Sequence, residues 1–505
     1  MRTVPFAHQH HEALNYLAPV RALFWEMGVG KSRVILDTAQ RLFRANLIKL
    51  LLVVAPNGVH RNWVNREVPI HLDESEYDFL VAWSTSGRAK ALIKNFLGRC
   101  KTEEQLGPHI VALNIEALAT ENGFALAQDM LLTFPTLFVI DESSRIKTPR
   151  AKCTRAALKL AALAPYRRIL SGTPIAQSPL DLYSQFNFLS PSILNMRSLI
   201  AFRARYGVWE RQRMSGGRGW FEKLVGFQNV EELQQRIAPY TSVLNKEDCL
   251  DLPEKIYERR EFKLGTQARR AYHSMLTLSA VALGIDGAVV DEDELNARLV
   301  ELLLDPDTPT ATAQNAGVRL LRLQQIAGGH MPANGTSAPF SFDEPNARLQ
   351  TLLALLEENE GHKVIIWSRF RAEIVEIVAR IKHFFPEALV VSYYGATSTA
   401  DREQAIDLFQ NDPRCRFFVG QPHSAGLGLT LTAASLVVYY SNDFSLIARL
   451  QSEDRAHRIG QTRAVTYVDL VAQNTVDDRI VEVLQTKKRT AKEFFDADCF
   501  RNTAN

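Results

Sequence analysis

The stretch RALFWEMGVGKSRVIL, residues 21–36, decides how the remainder of this chain is read. Arg21–Trp25 is short and mostly apolar, as a strand inside a sheet should be. Met27–Ser32 is a glycine-bearing turn, and from Arg33 to Leu42 apolar residues recur at helical spacing. Strand, tight loop and helix together make a phosphate cradle. Gly28 and Gly30 let the backbone turn and aim its N–H groups into a concavity at the positive end of the helix dipole. Lys31 is placed to reach the β and γ phosphates, and the Ser32 hydroxyl to hold Mg²⁺. Met27, Gly28, Val29, Gly30, Lys31 and Ser32 are therefore candidate ligands of a nucleoside triphosphate. The usual G-x-x-x-x-G-K-[ST] asks for glycine at position 25, where this chain has Trp25. On these residues alone a glycine turn without function stays open, and the other segments must decide.

Length and composition narrow the field. A chain of 505 residues exceeds one ordinary core, so several domains are expected. Hydrophobic residues make up 46% and charged residues 23%, the balance of a soluble globular protein. No apolar run reaches the ~18–20 residues of a membrane span, and His8, His10, His11, Glu12 and Asn15 break any secretion-signal pattern. The five cysteines are scattered without a C-x-x-C pair, as reduced thiols of a cytoplasmic protein would be, with no zinc site. A net charge of +3 neither requires nor excludes a nucleic-acid partner, so any binding groove must come from local clusters of Arg and Lys.

Upstream of the loop, VPFAHQHHEALNYL (4–17) has a short helical pattern in which Gln9 and Phe6 could read and stack adenine; a plain surface helix is the alternative. The histidines at 8, 10 and 11 lack the i, i+4 spacing that sets two metal ligands on one helix face. Downstream, Leu50–Ala55 is a continuous apolar run suited to a parallel strand buried on both faces, with Arg61, Asn62 and Trp63 following its C-terminal end. Strands are expected at Phe79–Trp83, Ile110–Asn114 and Leu137–Ile140, the last running directly into Asp141–Glu142. Beside a phosphate loop, such a carboxylate pair completes a triphosphatase: Asp141 holds Mg²⁺ and Glu142 polarises the attacking water. A helix N-cap is the competing reading. Arg168–Leu170 begins another strand, followed by Ser171-Gly172-Thr173-Pro174.

From about 191 to 345 the alternation gives way to helical stretches, Val230–Tyr240, Thr266–Leu283 and Glu294–Asp305 among them. Arg197, Arg203, Arg205, Arg211, Arg213 and Arg218 make its first part basic, either a phosphate-binding groove or a solvated surface. Strand–helix alternation resumes from Lys363–Ser368 through Leu389–Ser392, Phe417–Val419, Leu436–Tyr440 and Thr466–Leu470. The expected division is a nucleotide-binding lobe at 1–190, helical insertions at 191–345 and a second α/β lobe at 346–505. The second lobe has no phosphate loop. It carries QSEDRAHRIGQ (451–461), where Arg455 and Arg458 sit three apart on an expected helix and share a face. They suit arginine fingers, or else surface ion pairs with Glu453 and Asp454.

This series resembles the motif order of superfamily 2 helicases, and specifically of the Swi/Snf-type DNA translocases, over nearly the whole chain. MGVGKS (27–32), DESSRIK (141–147), SGTPIAQSPLDLYSQFNFLSP (171–191), IAPYTSVLNKEDCLDLPEK (237–255), LLRLQQIAGG (320–329) and DRAHRIGQ (454–461) followed by NTVDDRIVEVLQTKK (474–488) carry it. Departures are Ser143 and Ser144 in the acidic motif, Ala176 and Gln177 in the third, and Ala425 and Thr430 in the fifth. The resemblance implies two RecA-like α/β lobes with helical insertions, a DNA-stimulated ATPase and the cofactors ATP and Mg²⁺. It implies that Gln9, the loop, Gly428 and Gln451 hold nucleotide, and that Ser32 and Asp141 hold Mg²⁺. Lys31, Asp141, Glu142, Arg455 and Arg458 would be catalytic, while Asn62, Trp63, Arg369 and Thr430 track DNA. The implied partner is duplex DNA contacted at its backbone without strong sequence preference, and a monomer in a bacterial or phage setting is expected. A strand-separating or fork-remodelling helicase, an ATP-gated DNA clamp with little turnover, and an RNA substrate stand as alternatives.

Overall fold

The computed structural model describes residues 1–84, 93, 107–196, 198–213, 220–282, 291–304, 310–332, 339–341, 346–395, 397–427 and 429–501. The chain divides into two compact units. Unit 1 comprises Met1–Gly207, Phe227–Asp251 and Arg489–Asn505, and unit 2 comprises Val208–Gly226 and Leu252–Lys488. Residues 191–345, expected as helical insertions and linker, are shared between the two units.

Unit 1 is built on β1 (Val20–Trp25), β2 (Leu50–Ala55), β3 (Phe79–Ala82), β4 (His109–Asn114), β5 (Thr136–Asp141) and β6 (Tyr166–Leu170). β9 (Thr241–Leu244) completes this sheet, whereas β7 (Gly207–Arg213) and β8 (Trp220–Phe227) pair in a two-stranded sheet whose residues Val208–Gly226 belong to unit 2. The order is β3-β4-β2-β5-β6-β1-β9, with every neighbouring pair parallel. All six residues of β2 are buried, and so are all six of β5. Alternation explains why both read as unbroken apolar runs: Leu50, Leu52 and Val54 enter one core, Leu51, Val53 and Ala55 the other. Helices cover both faces, among them α1 (Ala7–Leu14) and α2 (Lys31–Arg44).

Unit 2 repeats the plan. After β10 (Lys255–Phe262) and the short pair β11 (His330–Pro332) and β12 (Pro339–Ser341) come β13 (Val364–Trp367), β14 (Leu389–Tyr393), β15 (Cys415–Gly420), β16 (Leu436–Tyr439) and β17 (Val465–Ala472). The order β10-β17-β16-β13-β15-β14 is parallel throughout. Val364 and Ile366 pack on one face, Ile365 and Trp367 on the other. Two parallel sheets, each flanked by helices, are two RecA-like lobes.

The middle of the chain is less purely helical than expected. The helices Thr266–Ala282, Glu292–Leu304 and Thr310–Ala327 are present, but β7 to β10 are strands. A second correction concerns the arginine segment: the helix Leu446–Glu453 stops before Arg455, and Arg455 and Arg458 lie in the turns that follow. Arg197, Arg218, Cys100 and Gly428 lie outside the described residues; the four described cysteines are unbridged. Among the described residues, no helix is long and apolar enough to cross a membrane.

Candidate active site: a phosphate loop and an acidic strand tip

β1 ends at Trp25, and after five intervening residues α2 begins at Lys31. Gly28 and Gly30 both adopt left-handed φ, +87° and +89°, which only glycine reaches without strain. Gly30 is the N-cap of α2 and offers no capping side chain, so the first-turn amides are left without an intrahelical acceptor. The positive dipole end and those amides converge on the concave side of the loop, as an anion site requires. Lys31 folds back so that Nζ donates to the carbonyls of Trp25 (2.8 Å) and Glu26 (3.0 Å). These bonds hold the ammonium over the loop.

The absence of glycine at position 25 is explained by where the indole goes. Trp25 is buried and its Nε1 donates to Ser242 Oγ on β9 at 2.9 Å, away from the loop interior. The close approach falls to Gly172 instead: a Cβ there would stand 3.2–3.4 Å from Met27 and the Trp25 carbonyl. Val29 is buried, and its carbonyl is held by His8 Nε2 (3.0 Å) and Gln9 Nε2 (3.1 Å) of α1. Gln9 also accepts from the Phe6 amide at 3.0 Å. Both ends of its amide are engaged by protein, so Gln9 braces the loop. Phe6, 51% exposed and stacked on His8, presents the free ring face beside it.

β5 lies one strand from β1 across β6, so in a parallel sheet the Asp141 tip and the phosphate loop share one edge, roughly 10 Å apart. Asp141 is buried; its Oδ1 accepts the Glu142 amide (3.0 Å) and its Oδ2 accepts Trp63 Nε1 (2.9 Å). Burial raises the carboxyl above its usual range, against the lowering pull of the Trp63 bond and of Lys31. An ionised acid so placed costs folding free energy above its unfolded pKa until a cation neutralises it. Glu142 stands at φ +53°, a left-handed non-glycine conformation of the kind held under strain at functional positions. One buried carboxylate, the Ser32 hydroxyl at the head of α2 and a loop for phosphates form a donor set suited to Mg²⁺, which keeps water and phosphate oxygens in its shell. Among the described residues, no group of three or more His, Cys, Asp or Glu makes a protein-only metal cage.

The acidic motif is tied to the third one by side chains. Ser143 Oγ donates to Gln185 Oε1 (2.7 Å), and Gln185 Nε2 donates to the carbonyls of Pro174 and Asp181. Asp181 Oδ2 takes the amides of Ala176 and Gln177, so both positions contribute backbone donors to this link. Lys246 is a residue the motif reading did not single out. It follows β9, is buried, donates its amide to Glu26 Oε2 (2.7 Å) and runs its Cε within 4.0 Å of where a side chain at Gly28 would begin. The signal was faint: one lysine after a four-residue strand.

Other expected positions divide sharply. Trp63 is 1% exposed and cannot track a polymer; a buried indole N–H needs an acceptor, and Asp141 supplies it. Asn62, by contrast, is half-buried at the end of the short helix Val59–Asn62. In unit 2, Arg369 follows the tip of β13, donates to Gln324 Oε1 and lies 3.8 Å from Asp443. Thr430 sits in a loop strapped at both sides: Arg458 Nη1 donates to Leu429 O (3.1 Å), and the Leu431 amide donates to Arg455 O (2.9 Å). Gln451 lies half-buried on Leu446–Glu453. Of the acids beside the two arginines, Glu453 pairs with Arg449 and Asp454 with Lys255.

A phosphate loop and an acidic strand tip on one edge of a parallel sheet, with a second parallel sheet in unit 2, define the tandem RecA-like class of P-loop proteins. Residues 21–306, more than half of the chain, match the SNF2-related domain, and residues 347–460 match the helicase conserved C-terminal domain. The chain belongs to the SNF2 family of helicase-like ATPases. Protein CHROMATIN REMODELING 24 of Arabidopsis thaliana is 25% identical over 95% of this chain and 45% of its own length. Human TATA-binding protein-associated factor 172 is 28% identical over 70% of this chain and 20% of its own. The chain therefore spans between a fifth and a half of these relatives. Among solved structures, the Sulfolobus solfataricus SWI2/SNF2 ATPase core in complex with dsDNA is 22% identical, covering 99% of this chain and 95% of that one, with a TM-score of 0.41.

Proposed function

We propose that this protein hydrolyses ATP to move along duplex DNA or to remodel protein–DNA complexes. The observation that carries the chemistry is the shared sheet edge of unit 1, where Lys31, Ser32, Asp141 and Glu142 converge around a loop shaped for phosphates. Lys31 and the α2 amides bind the phosphate chain, Ser32 and Asp141 hold Mg²⁺, and Glu142 orients the attacking water. Held by Ser32 and Asp141, Mg²⁺ would supply positive charge against the charge that develops on the phosphates. Phe6 offers a stacking face for adenine. Arg455 and Arg458 keep the transition-state role that their motif implies in the family.

Support for DNA comes from family membership and from relatives whose names speak of chromatin remodelling and association with TATA-binding protein. The test is ATP turnover measured without nucleic acid and with single-stranded DNA, blunt duplex, forked DNA or RNA. Turnover is expected to rise most with duplex, and a third strand to be displaced from a triplex while blunt duplex stays paired. Binding is expected to weaken steeply with salt, because backbone contacts release counterions. Turnover indifferent to all four polymers overturns the reading, and efficient separation of plain duplex replaces translocation by strand separation.

A further inference from the structure

Trp63 is a buried aromatic whose polar atom reaches Asp141 at the acidic strand tip, and it comes from the segment that follows β2. That segment, Val59–His71, is not a regular helix. Its centre, Trp63–Glu67, is a π-turn in which the Val68 amide reaches back five residues to Trp63 O. The wider turn sets Trp63 and Val68, both buried, toward the core. Such turns are rare and concentrate at functional sites. At its start, the buried His60 ring is fixed to the Trp83 carbonyl at 3.1 Å, while Arg61 is exposed beside it and Asn62 half-buried. One turn of chain thus exposes the Arg61 cation and sends an indole N–H inward to Asp141 Oδ2, 2.9 Å away and 78 residues distant in sequence.

We propose that Trp63 is a positioning residue that couples nucleic-acid contact at Arg61 and Asn62 to the Mg²⁺-binding carboxylate. The inference rests on the proposed function, since it requires a nucleic-acid partner. With Oδ1 held by the Glu142 amide and Oδ2 by Trp63, the orientation of Asp141 is set by two donors. The indole belongs to a segment that carries the exposed Arg61 two residues earlier. A shift of that segment lengthens or tightens the Trp63 bond and changes how the carboxylate meets the metal. Hydrogen-bonding partners behind a metal ligand typically alter metal affinity ~10–100-fold when removed.

The experiment measures the Mg²⁺ concentration giving half-maximal binding of a fluorescent ADP, with and without a saturating blunt duplex, alongside steady-state turnover. For the wild type, duplex is expected to lower this midpoint. For Trp63→Phe the midpoint is expected to rise about tenfold and to stop responding to duplex. Should Trp63→Phe fail to fold, benzothienylalanine at position 63 keeps the ring shape and removes only the N–H; the same shift is expected. A space-filling role lowers the melting temperature but leaves the midpoint and its duplex response intact, and that result overturns the inference. Equal duplex stimulation of turnover in wild type and Trp63→Phe also overturns it while leaving the proposed function standing. A wild type whose turnover ignores every polymer defeats the proposed function itself.

Discussion

Lys31 and Glu142 sit on opposite sides of the same reaction, and their substitution should separate binding from turnover. Lys31 is a point charge held over the loop by two carbonyls, so Lys31→Ala removes the attraction for the phosphates and should weaken ATP binding. The Glu142 amide donates to Asp141 Oδ1, and a change from carboxylate to amide in its side chain leaves that backbone bond in place. Glu142→Gln should therefore keep ATP and Mg²⁺ bound while turnover falls by orders of magnitude. Equilibrium binding of a fluorescent ATP analogue together with a phosphate-release assay checks both, and wild-type turnover in Glu142→Gln refutes the assignment. At this scale the sequence was a good guide wherever a backbone shape demanded a residue type. Gly28, Gly30, Lys31 and the Asp141–Glu142 pair were legible because a tight turn and a strand tip leave few alternatives. Trp63 was not. A tryptophan directly after the short helix Val59–Asn62 reads as exposed or buried with equal ease, and the 2.9 Å bond to Asp141 gives its direction.

At the scale of elements, α1, the phosphate loop and α2 behave as one piece, because Gln9 and His8 hold the Val29 carbonyl. The two loop glycines then differ in what a methyl group would meet. At Gly30 a Cβ would fall 2.0 Å from Gln9 Nε2, which is buried and already bonded, in addition to the left-handed φ. At Gly28 the nearest atom is Lys246 Cε at 4.0 Å, so only the backbone conformation resists. Strain of the latter kind costs of order 1–3 kcal/mol. Gly30→Ala should lower the melting temperature and ADP affinity more than Gly28→Ala, as calorimetry and titration would show; the reverse order would mean that α1 does not brace the loop. Element boundaries were readable where burial on both faces writes an unbroken apolar run: Leu50–Ala55 was bounded as observed. They were unreadable at the margins of the sheets. β10, KIYERREF, is an edge strand with most side chains turned to water, so charge masks its period. β9 has only four residues and owes its place to pairing with β1, a contact more than 200 residues away in sequence. Arg455 and Arg458 look helical by spacing, yet the chain leaves the helix at Glu453.

On the scale of the whole molecule, the chain's last segment belongs with its first. Residues 489–501 follow the second lobe in sequence but are part of unit 1. Phe494 and Phe500, 3% and 2% exposed, lie in the same core as β1 and β2, and the Phe495 ring meets that of Phe24 on β1 at 5.5 Å. Gln234 Nε2 caps the arrangement by donating to Phe494 O at 2.7 Å. Phe24 itself lies one residue before Trp25, whose carbonyl positions Lys31, so the C-terminal aromatics support the strand that carries the phosphate loop. Each buried phenylalanine contributes about 1.5–3 kcal/mol of transfer free energy, so the group is worth on the order of 5 kcal/mol, comparable with the net stability of a domain. Ending the chain after Lys488 should therefore lower the melting temperature of unit 1 and abolish ADP binding, although none of the removed residues belongs to the phosphate loop or the acidic pair. Phe494→Ala should produce a milder version of both effects. Thermal unfolding followed with and without Mg²⁺ and ADP distinguishes the outcomes: in the truncated chain the nucleotide should no longer shift the transition. A truncated chain that binds ADP like the full one and melts at the same temperature would show that 489–501 is an appendage, and that the nucleotide lobe is complete without the chain's return.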